Sequence, residues 1–168
     1  PLVIDPVLVA KSGDRLLEEN ALQAFTTRLI LHASIITPNI PEAEVLSGIA
    51  VKTRDDMVRA AKIMHDQGVP AVLLKGGHMT GDLLTDLLQT EEGTELFEAE
   101  RIHTVHTHGT GCALASGIAT GIAQGMELRD AVRRAREFVR QAIAAAPGFG
   151  GGHGPLDHTV TVRPLDGY

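Results

Sequence analysis

The chain has 168 residues, 43% hydrophobic and 21% charged, with 3% aromatics and no Trp, so it can form a single domain whose core rests on Leu, Ile, Val and Ala. A net charge of -6 argues against a broad nucleic-acid surface, while a single cysteine excludes an internal disulfide and, with eight scattered histidines, gives no ligand-pair spacing for structural zinc. No apolar run has the length needed to span a bilayer and no signal peptide is recognisable, which predicts a cytoplasmic protein with no nucleic-acid or membrane partner.

The chain opens on Pro1-Leu2-Val3-Ile4-Asp5 without Met, like a strand already in progress, which predicts that the first residues of a larger protein are absent. Residues 2–9 form a short apolar run, the pattern of a buried strand in a parallel sheet. Pro6 cannot donate to a ladder and marks its C-terminal end, where sites of open α/β sheets lie. Asp5 there is either a turn residue or a ligand for a metal or a hydrated phosphate. After the loop Lys11-Ser12-Gly13, a helix is predicted over 14–31, with Leu22, Phe25 and Leu29 on one face.

Residues 33–37 read as a second strand, stopped by Pro38, and Asn39-Ile40-Pro41-Glu42 leads into a brief helix ending near Gly48. Asn39 suits an N-cap, Pro41 a first turn, and Glu42 and Glu44 the positive helix end. Asn39 and Glu42 also lie three apart at a strand-to-helix corner, where a carboxylate could hold hydrated Mg²⁺. Residues 53–67 predict an amphipathic helix with Met57, Ala60, Ala61 and Met64 inward, ended by Gly68. Residues 71–74 form a third strand closing in Lys75-Gly76-Gly77-His78, a build shared by phosphate-binding turns and by ordinary ones.

A hairpin is predicted from arms at 82–89 and 95–102, the second alternating between Leu96, Glu98, Glu100 and Ile102 on one side and Phe97, Ala99 and Arg101 on the other. His106-Thr107-His108-Gly109-Thr110-Gly111-Cys112 then joins a glycine turn, a helix start and the only cysteine. The first amides of that helix have no intrahelical acceptor and can bind an anion, or the stretch is simply a helix start with a buried thiol. The helix from Ala113 carries Gly117, Gly121 and Gly125 four apart, which predicts close packing against a neighbour. Residues 128–146 give the clearest helix, with an apolar stripe from Ala131 to Ala146 and arginines on the solvated remainder. Pro147 and Gly148 to Gly154 end it, as a flexible tract or as a loop over a ligand, and residues 159–162 read as a last strand.

Five of these stretches, in this order, resemble the ATP-dependent vitamin kinases of the ribokinase-like superfamily, and within it the hydroxymethylpyrimidine/phosphomethylpyrimidine kinases of thiamine biosynthesis. They are Val3-Ile4-Asp5-Pro6-Val7 with Lys11-Ser12-Gly13, Thr37-Pro38-Asn39-Ile40-Pro41-Glu42-Ala43-Glu44, Leu74-Lys75-Gly76-Gly77-His78, the heptad ending at Cys112, and Gly152-His153-Gly154-Pro155-Leu156-Asp157-His158. The resemblance implies an α/β fold, a ribokinase-like three-layer sandwich with a mainly parallel sheet, present as one partial domain over 1–168 that matches the C-terminal two-thirds and lacks the N-terminal strands. It implies ATP-dependent phosphorylation of 4-amino-5-hydroxymethyl-2-methylpyrimidine, its monophosphate, or both, with Mg²⁺ and in a homodimer.

At matched positions, Gly109, Thr110, Gly111 and Cys112 would form the anion hole, with Cys112 as catalytic base in contact with substrate. Asn39 and Asp5 would lie near the nucleotide phosphates, and Glu42 with Asp5 would hold Mg²⁺ through water. Lys75 and Gly76 would form the phosphate turn, and Val7 would approach the pyrimidine. The chain departs from the family in its length, in having nothing that matches the glycine-rich N-terminal stretch used for the pyrimidine, and in Asp157, where asparagine is frequent. A pyridoxal kinase of the same branch, or a non-catalytic nucleotide-binding fragment that needs a partner segment, are the alternatives.

Overall fold

The computed structural model describes residues 1–9, 16–77 and 81–162, and the chain divides into two compact units, Pro1–Arg101 and Ile102–Tyr168. The Lys11-Ser12-Gly13 loop, the start of the first predicted helix at Asp14, and His78 lie outside the described residues.

In the first unit, strand β1 is only Val3–Ile4. The strand predicted to Val9 stops early because Pro6 lacks a donor and the backbone curls after it, with Val7 N–H donating to Asp5 O at 3.0 Å and Leu8 N–H to Pro6 O at 2.7 Å. Helix α1 covers Glu19–Ala24, then loosens into a π turn at Phe25–Leu29 and a 3₁₀ turn at Ile30–His32 instead of continuing as one α-helix. The hydroxyls of Thr26 and Thr27 donate back to the carbonyls of Leu22 and Gln23 at 2.7–3.0 Å, a competition that weakens the regular helical ladder. Strand β2 (Ile35–Ile36) pairs parallel to β1 through Val3 with Ile35 and Ile4 with Ile36.

Helix α2 (Ile40–Ser47) ends at Gly48 in the left-handed conformation, φ 74°, as its sequence predicts. Helix α3 (Arg54–Asp66) starts at a reciprocal cap between Thr53 and Asp56 and buries Met57, Ala60, Ala61 and Met64, the predicted face. Hydrogen bonding to the Arg59 guanidinium, and then to the amide of Lys52 and the Thr53 hydroxyl, holds the Asp56 carboxyl well below the usual range. Strand β3 (Val72–Leu74) pairs parallel to β2. The hairpin is β4 (Leu83–Thr90) and β5 (Gly93–Glu100), joined through Glu91-Glu92 and antiparallel from Leu83 with Glu100 to Thr90 with Gly93.

The sheet order is β1-β2-β3-β4-β5, parallel from β1 to β3 and antiparallel from β3 to β5. Its core joins Ile30, Ile36, Met57, Met64, Val72, Leu74 and Leu87, each at most 2% exposed. Burying a side chain of this kind stabilises by about 1.5–3 kcal/mol, which is why strands of two or three residues can anchor the strand ends that follow them.

In the second unit, α4 (Thr110–Ala123) and α5 (Leu128–Ala144) form an antiparallel pair joined by a short turn at Gly125. The glycine spacing has the predicted meaning at Gly117 and Gly121, whereas Gly125, expected within the helix, lies past its end at φ 84° and makes the turn. A Cβ added at Gly117 or Gly121 would lie 2.9 or 2.7 Å from the Cβ of Ala135 or Ala131, so the helices approach through hydrogen atoms alone. Residues 159–162, predicted as a strand, belong instead to a 3₁₀ turn, His158–Val162. Asp157 Oδ1 accepts the Thr159 N–H at 2.9 Å and the Thr159 hydroxyl at 2.6 Å, and this local capture curls the chain.

Candidate functional site

The ends of the three parallel strands carry one linked polar group. Asp5 follows β1, Thr37 follows β2 and Lys75 follows β3. Asp5 Oδ1 accepts the Thr37 hydroxyl at 2.8 Å and the Lys75 ammonium at 2.7 Å. The ion pair is largely enclosed, with 15% of the Lys75 side chain and 16% of Asp5 exposed, so its charges depend on each other more than a surface pair would. Lys75 is also fixed by its backbone, its N–H donating to Pro38 O at 2.8 Å in a parallel bridge between Asn39 and Lys75. At Gly76 a Cβ would fall 1.8 Å from the Thr85 carbonyl oxygen, so the turn admits no side chain there.

Asn39 and Glu42 satisfy each other across the start of α2. Asn39 Oδ1 accepts the Glu42 N–H at 3.0 Å and Glu42 Oε2 accepts the Asn39 N–H at 2.8 Å. The capping account of this motif therefore holds, and it uses the Asn39 oxygen and one of the two oxygens of Glu42. Glu42 is 3% exposed. Burial pushes its carboxyl up from the usual value of 4.5, the Asn39 amide and the Lys75 charge pull it down, and the Asp5 charge raises it again. Asp5 and Glu42 offer only hard oxygen donors, which suits Mg²⁺ held through water and phosphate, and among the described residues no three His, Cys, Asp or Glu side chains group as a metal site. Val7, beyond Pro6, is 54% exposed.

The predicted anion hole belongs to the second unit and is made of backbone. Gly109, the N-cap of α4, has φ 88°, which a β-carbon disfavours. Its carbonyl accepts the Ala113 N–H at 2.9 Å, and the Thr110 hydroxyl donates to Thr107 O at 3.2 Å. Gly111 and Cys112 lie in the first turn, where amides precede any intrahelical acceptor. The Cys112 thiol is exposed, so the alternative of a buried structural cysteine fails.

The motif Gly152 to His158 holds the segment that enters this turn. His108 N–H donates to Gly154 O at 3.2 Å, His108 bridges Pro155, and His153 Nδ1 lies 2.9 Å from Val105 O. A Cβ at Gly154 would sit 2.4 Å from His106 Nδ1. That nitrogen is buried and has no hydrogen-bond partner. The glycine at 154 is thus a fit to the His106 ring.

The structure brings Asp5, Asn39, Glu42, Lys75 and Gly76 into one neighbourhood of strand ends, and Gly109, Thr110, Gly111 and Cys112 into one helix start. Sequence reasoning placed Thr37 and His106 inside its motifs but gave neither a role. A lone hydroxyl directly after Ile35–Ile36 was the available signal for Thr37. Nothing in the sequence marks the pairing of His106 with Gly154, which are distant along the chain.

The family model described as phosphomethylpyrimidine kinase matches residues 1–157. The chain is 41% identical over 165 residues to a hydroxymethylpyrimidine/phosphomethylpyrimidine kinase of Staphylococcus aureus, covering 97% of the chain and 60% of that protein. It is 45% identical over 158 residues to the Streptomyces coelicolor protein of the same name, covering 94% and 58%. Among solved structures it is similar to the pyridoxal kinase from Staphylococcus aureus in complex with ADP, with a TM-score of 0.88 at 32% identity over 96% of this chain and 59% of that one. It is likewise similar to phosphomethylpyrimidine kinase from Clostridium difficile, with a TM-score of 0.73 at 37% identity over 84% and 57%. The α/β kinase fold implied by the sequence motifs is thereby borne out. The chain spans about 60% of the length of the curated relatives it matches.

Proposed function

The chain belongs to the phosphomethylpyrimidine kinase family, and on that premise we propose that it serves the ATP- and Mg²⁺-dependent phosphorylation of 4-amino-5-hydroxymethyl-2-methylpyrimidine, its monophosphate, or both. The observation that carries this reading is the convergence of Asp5, Thr37 and Lys75 at three parallel strand ends beside the Asn39–Glu42 cap, with an ammonium enclosed yet still partly exposed. An enclosed lysine paired to a carboxylate is poised to exchange that partner for phosphate oxygens when a nucleotide arrives.

Asp5 and Glu42 would hold Mg²⁺ through water, and the ion when bound supplies positive charge against the phosphates. Lys75 and Gly76 would border the nucleotide phosphates beside Asn39, with Gly76 allowing close backbone approach. The amides at Gly109 to Cys112 would neutralise charge on the transferred γ-phosphoryl group. The acceptor oxygen would attack the γ-phosphorus as ADP leaves with the electron pair of the broken bond, and with the hydroxymethyl group as acceptor the Cys112 sulfur would take its proton. The transition state is loose, so positioning and charge neutralisation outweigh the strength of the base. Val7 would touch the pyrimidine ring. We read the assembly as one partial kinase domain, cytoplasmic and homodimeric.

ADP release with the hydroxymethylpyrimidine, its phosphate and pyridoxal tests the reading. Turnover is expected with the pyrimidines. The TM-score of 0.88 to a pyridoxal kinase favours pyridoxal as the second candidate, and turnover with pyridoxal alone would select it. ATP binding without any turnover would favour a nucleotide-binding fragment that needs a partner segment, and absence of both would overturn the proposal.

A further inference from the structure

We propose that Asp86 is a positioning residue for the Lys75–Gly76 turn, an inference that rests on the reading of that turn as the phosphate-binding one. Asp86 stands in the middle of β4 among buried Leu87, Leu88 and Gln89, and is itself 6% exposed. A carboxylate at such a place is costly unless its oxygens are used. Oδ1 accepts the Gly76 N–H at 2.9 Å, a bond buried at both ends and spanning ten residues of chain.

The position of Gly76 makes this bond matter. The last registered pair of β3 and β4 is Leu74 with Leu87, so the backbone ladder ends two residues before Gly76. Beyond it, the chain lies so close to β4 that a Cβ on Gly76 would fall 1.8 Å from Thr85 O. Glycine allows the approach but supplies nothing to hold it, and it is the freest residue in the unfolded chain. The Asp86 carboxylate supplies the hold by side chain where the ladder no longer does so by backbone. The restraint passes to Lys75, whose N–H is fixed to Pro38 O and whose ammonium reaches Asp5 Oδ1 at 2.7 Å. Asp86 therefore acts on the ammonium through Gly76.

Selective acylation of lysine amines, read residue by residue by mass spectrometry on the full chain without ligand, tests this with Lys52 and Lys62 as internal references. In Asp86→Ala, Lys75 labelling should rise roughly fivefold while the references stay unchanged. Asp86→Asn keeps an acceptor oxygen and should restore the parental value. Unchanged Lys75 labelling in Asp86→Ala, or an equal rise at all three lysines, would overturn the proposal, the latter because it reports general loosening. Amide exchange at Gly76 in the parent chain decides the matter even if Asp86→Ala does not fold. Protection comparable to that of Leu73 is expected, and free exchange would overturn it. Adding ATP with Mg²⁺ to the parent separates the underlying reading. Loss of Lys75 labelling supports a phosphate turn, whereas no protection would remove the nucleotide and leave Asp86 as an organiser of a turn with another use.

Discussion

Asp5, Thr37 and Lys75 are held by side-chain bonds to one another at the ends of buried strands, with the Glu42 carboxylate held by the Asn39 amide beside them, whereas the turn from Gly109 to Cys112 is held by backbone geometry and presents an exposed thiol. The first group is inseparable from the stability of its unit. The second is a shape that the chain adopts at a glycine, with a reactive group that nothing in the fold requires. Substitutions in the first group should therefore cost folding free energy along with function, and those at the thiol should cost function alone.

The largest expected effect is at Gly76. Gly76→Ala drives a methyl group into the Thr85 carbonyl, and a loss of about 3 kcal/mol or more, with loss of nucleotide binding, should appear in urea unfolding and binding titrations. Next, Lys75→Met leaves the Asp5 carboxylate enclosed without its ion-pair partner, and should cost about 2 kcal/mol in the same unfolding measurement. A neutral result there would mean that the ion pair is a surface contact in all but name.

Gly109→Ala forces a β-carbon to φ 88° and should cost about 1 kcal/mol while lowering turnover. Glu42→Gln keeps an oxygen for the Asn39 amide and removes a charge that burial disfavours. Because the folded carboxyl titrates above 4.5, its favourable contribution is complete below that value and is lost as pH rises through the folded value. The Tm advantage of Glu42→Gln over the parent should thus be near zero in acid and grow toward neutral pH. An advantage that shrinks with pH would contradict the burial of Glu42. The smallest effect on stability should be that of Cys112→Ala, within about 0.5 kcal/mol, while its turnover falls far more than its ATP affinity. If Cys112→Ala unfolded as readily as Lys75→Met, the contrast between the two regions would collapse.

Much of this was legible in the sequence where a residue type had one dominant local consequence. Proline at 6 and 38, the cap at Asn39, the glycine at 48 and the inward stripe of α3 act within a few residues of themselves. The hairpin was also legible, though its turn proved tighter, with Thr90 paired to Gly93. Competition between alternatives for the same atoms was harder to read. Thr26 and Thr27 turned toward carbonyls and loosened α1, and Asp157 captured Thr159 and replaced a strand. The motif residues Asp5, Lys75 and Asn39 stand out in the sequence, but the bonds of Thr37 to Asp5 and of Asp86 to Gly76 do not, because they join residues 32 and 10 apart that only the fold brings near.

The contact between α4 and α5 has a consequence for how this chain can vary. At Gly117 and Gly121 the space that a side chain would fill already belongs to Ala135 and Ala131, so the four sites share one small allotment of volume. A methyl group gained on α4 must be surrendered on α5 in the same step, since the alanines there cannot retreat without moving their backbone. Single substitutions at these positions should be rare among viable variants and paired ones over-represented. The helix that begins at the glycine turn is for this reason inherited with its partner, as one unit of sequence change.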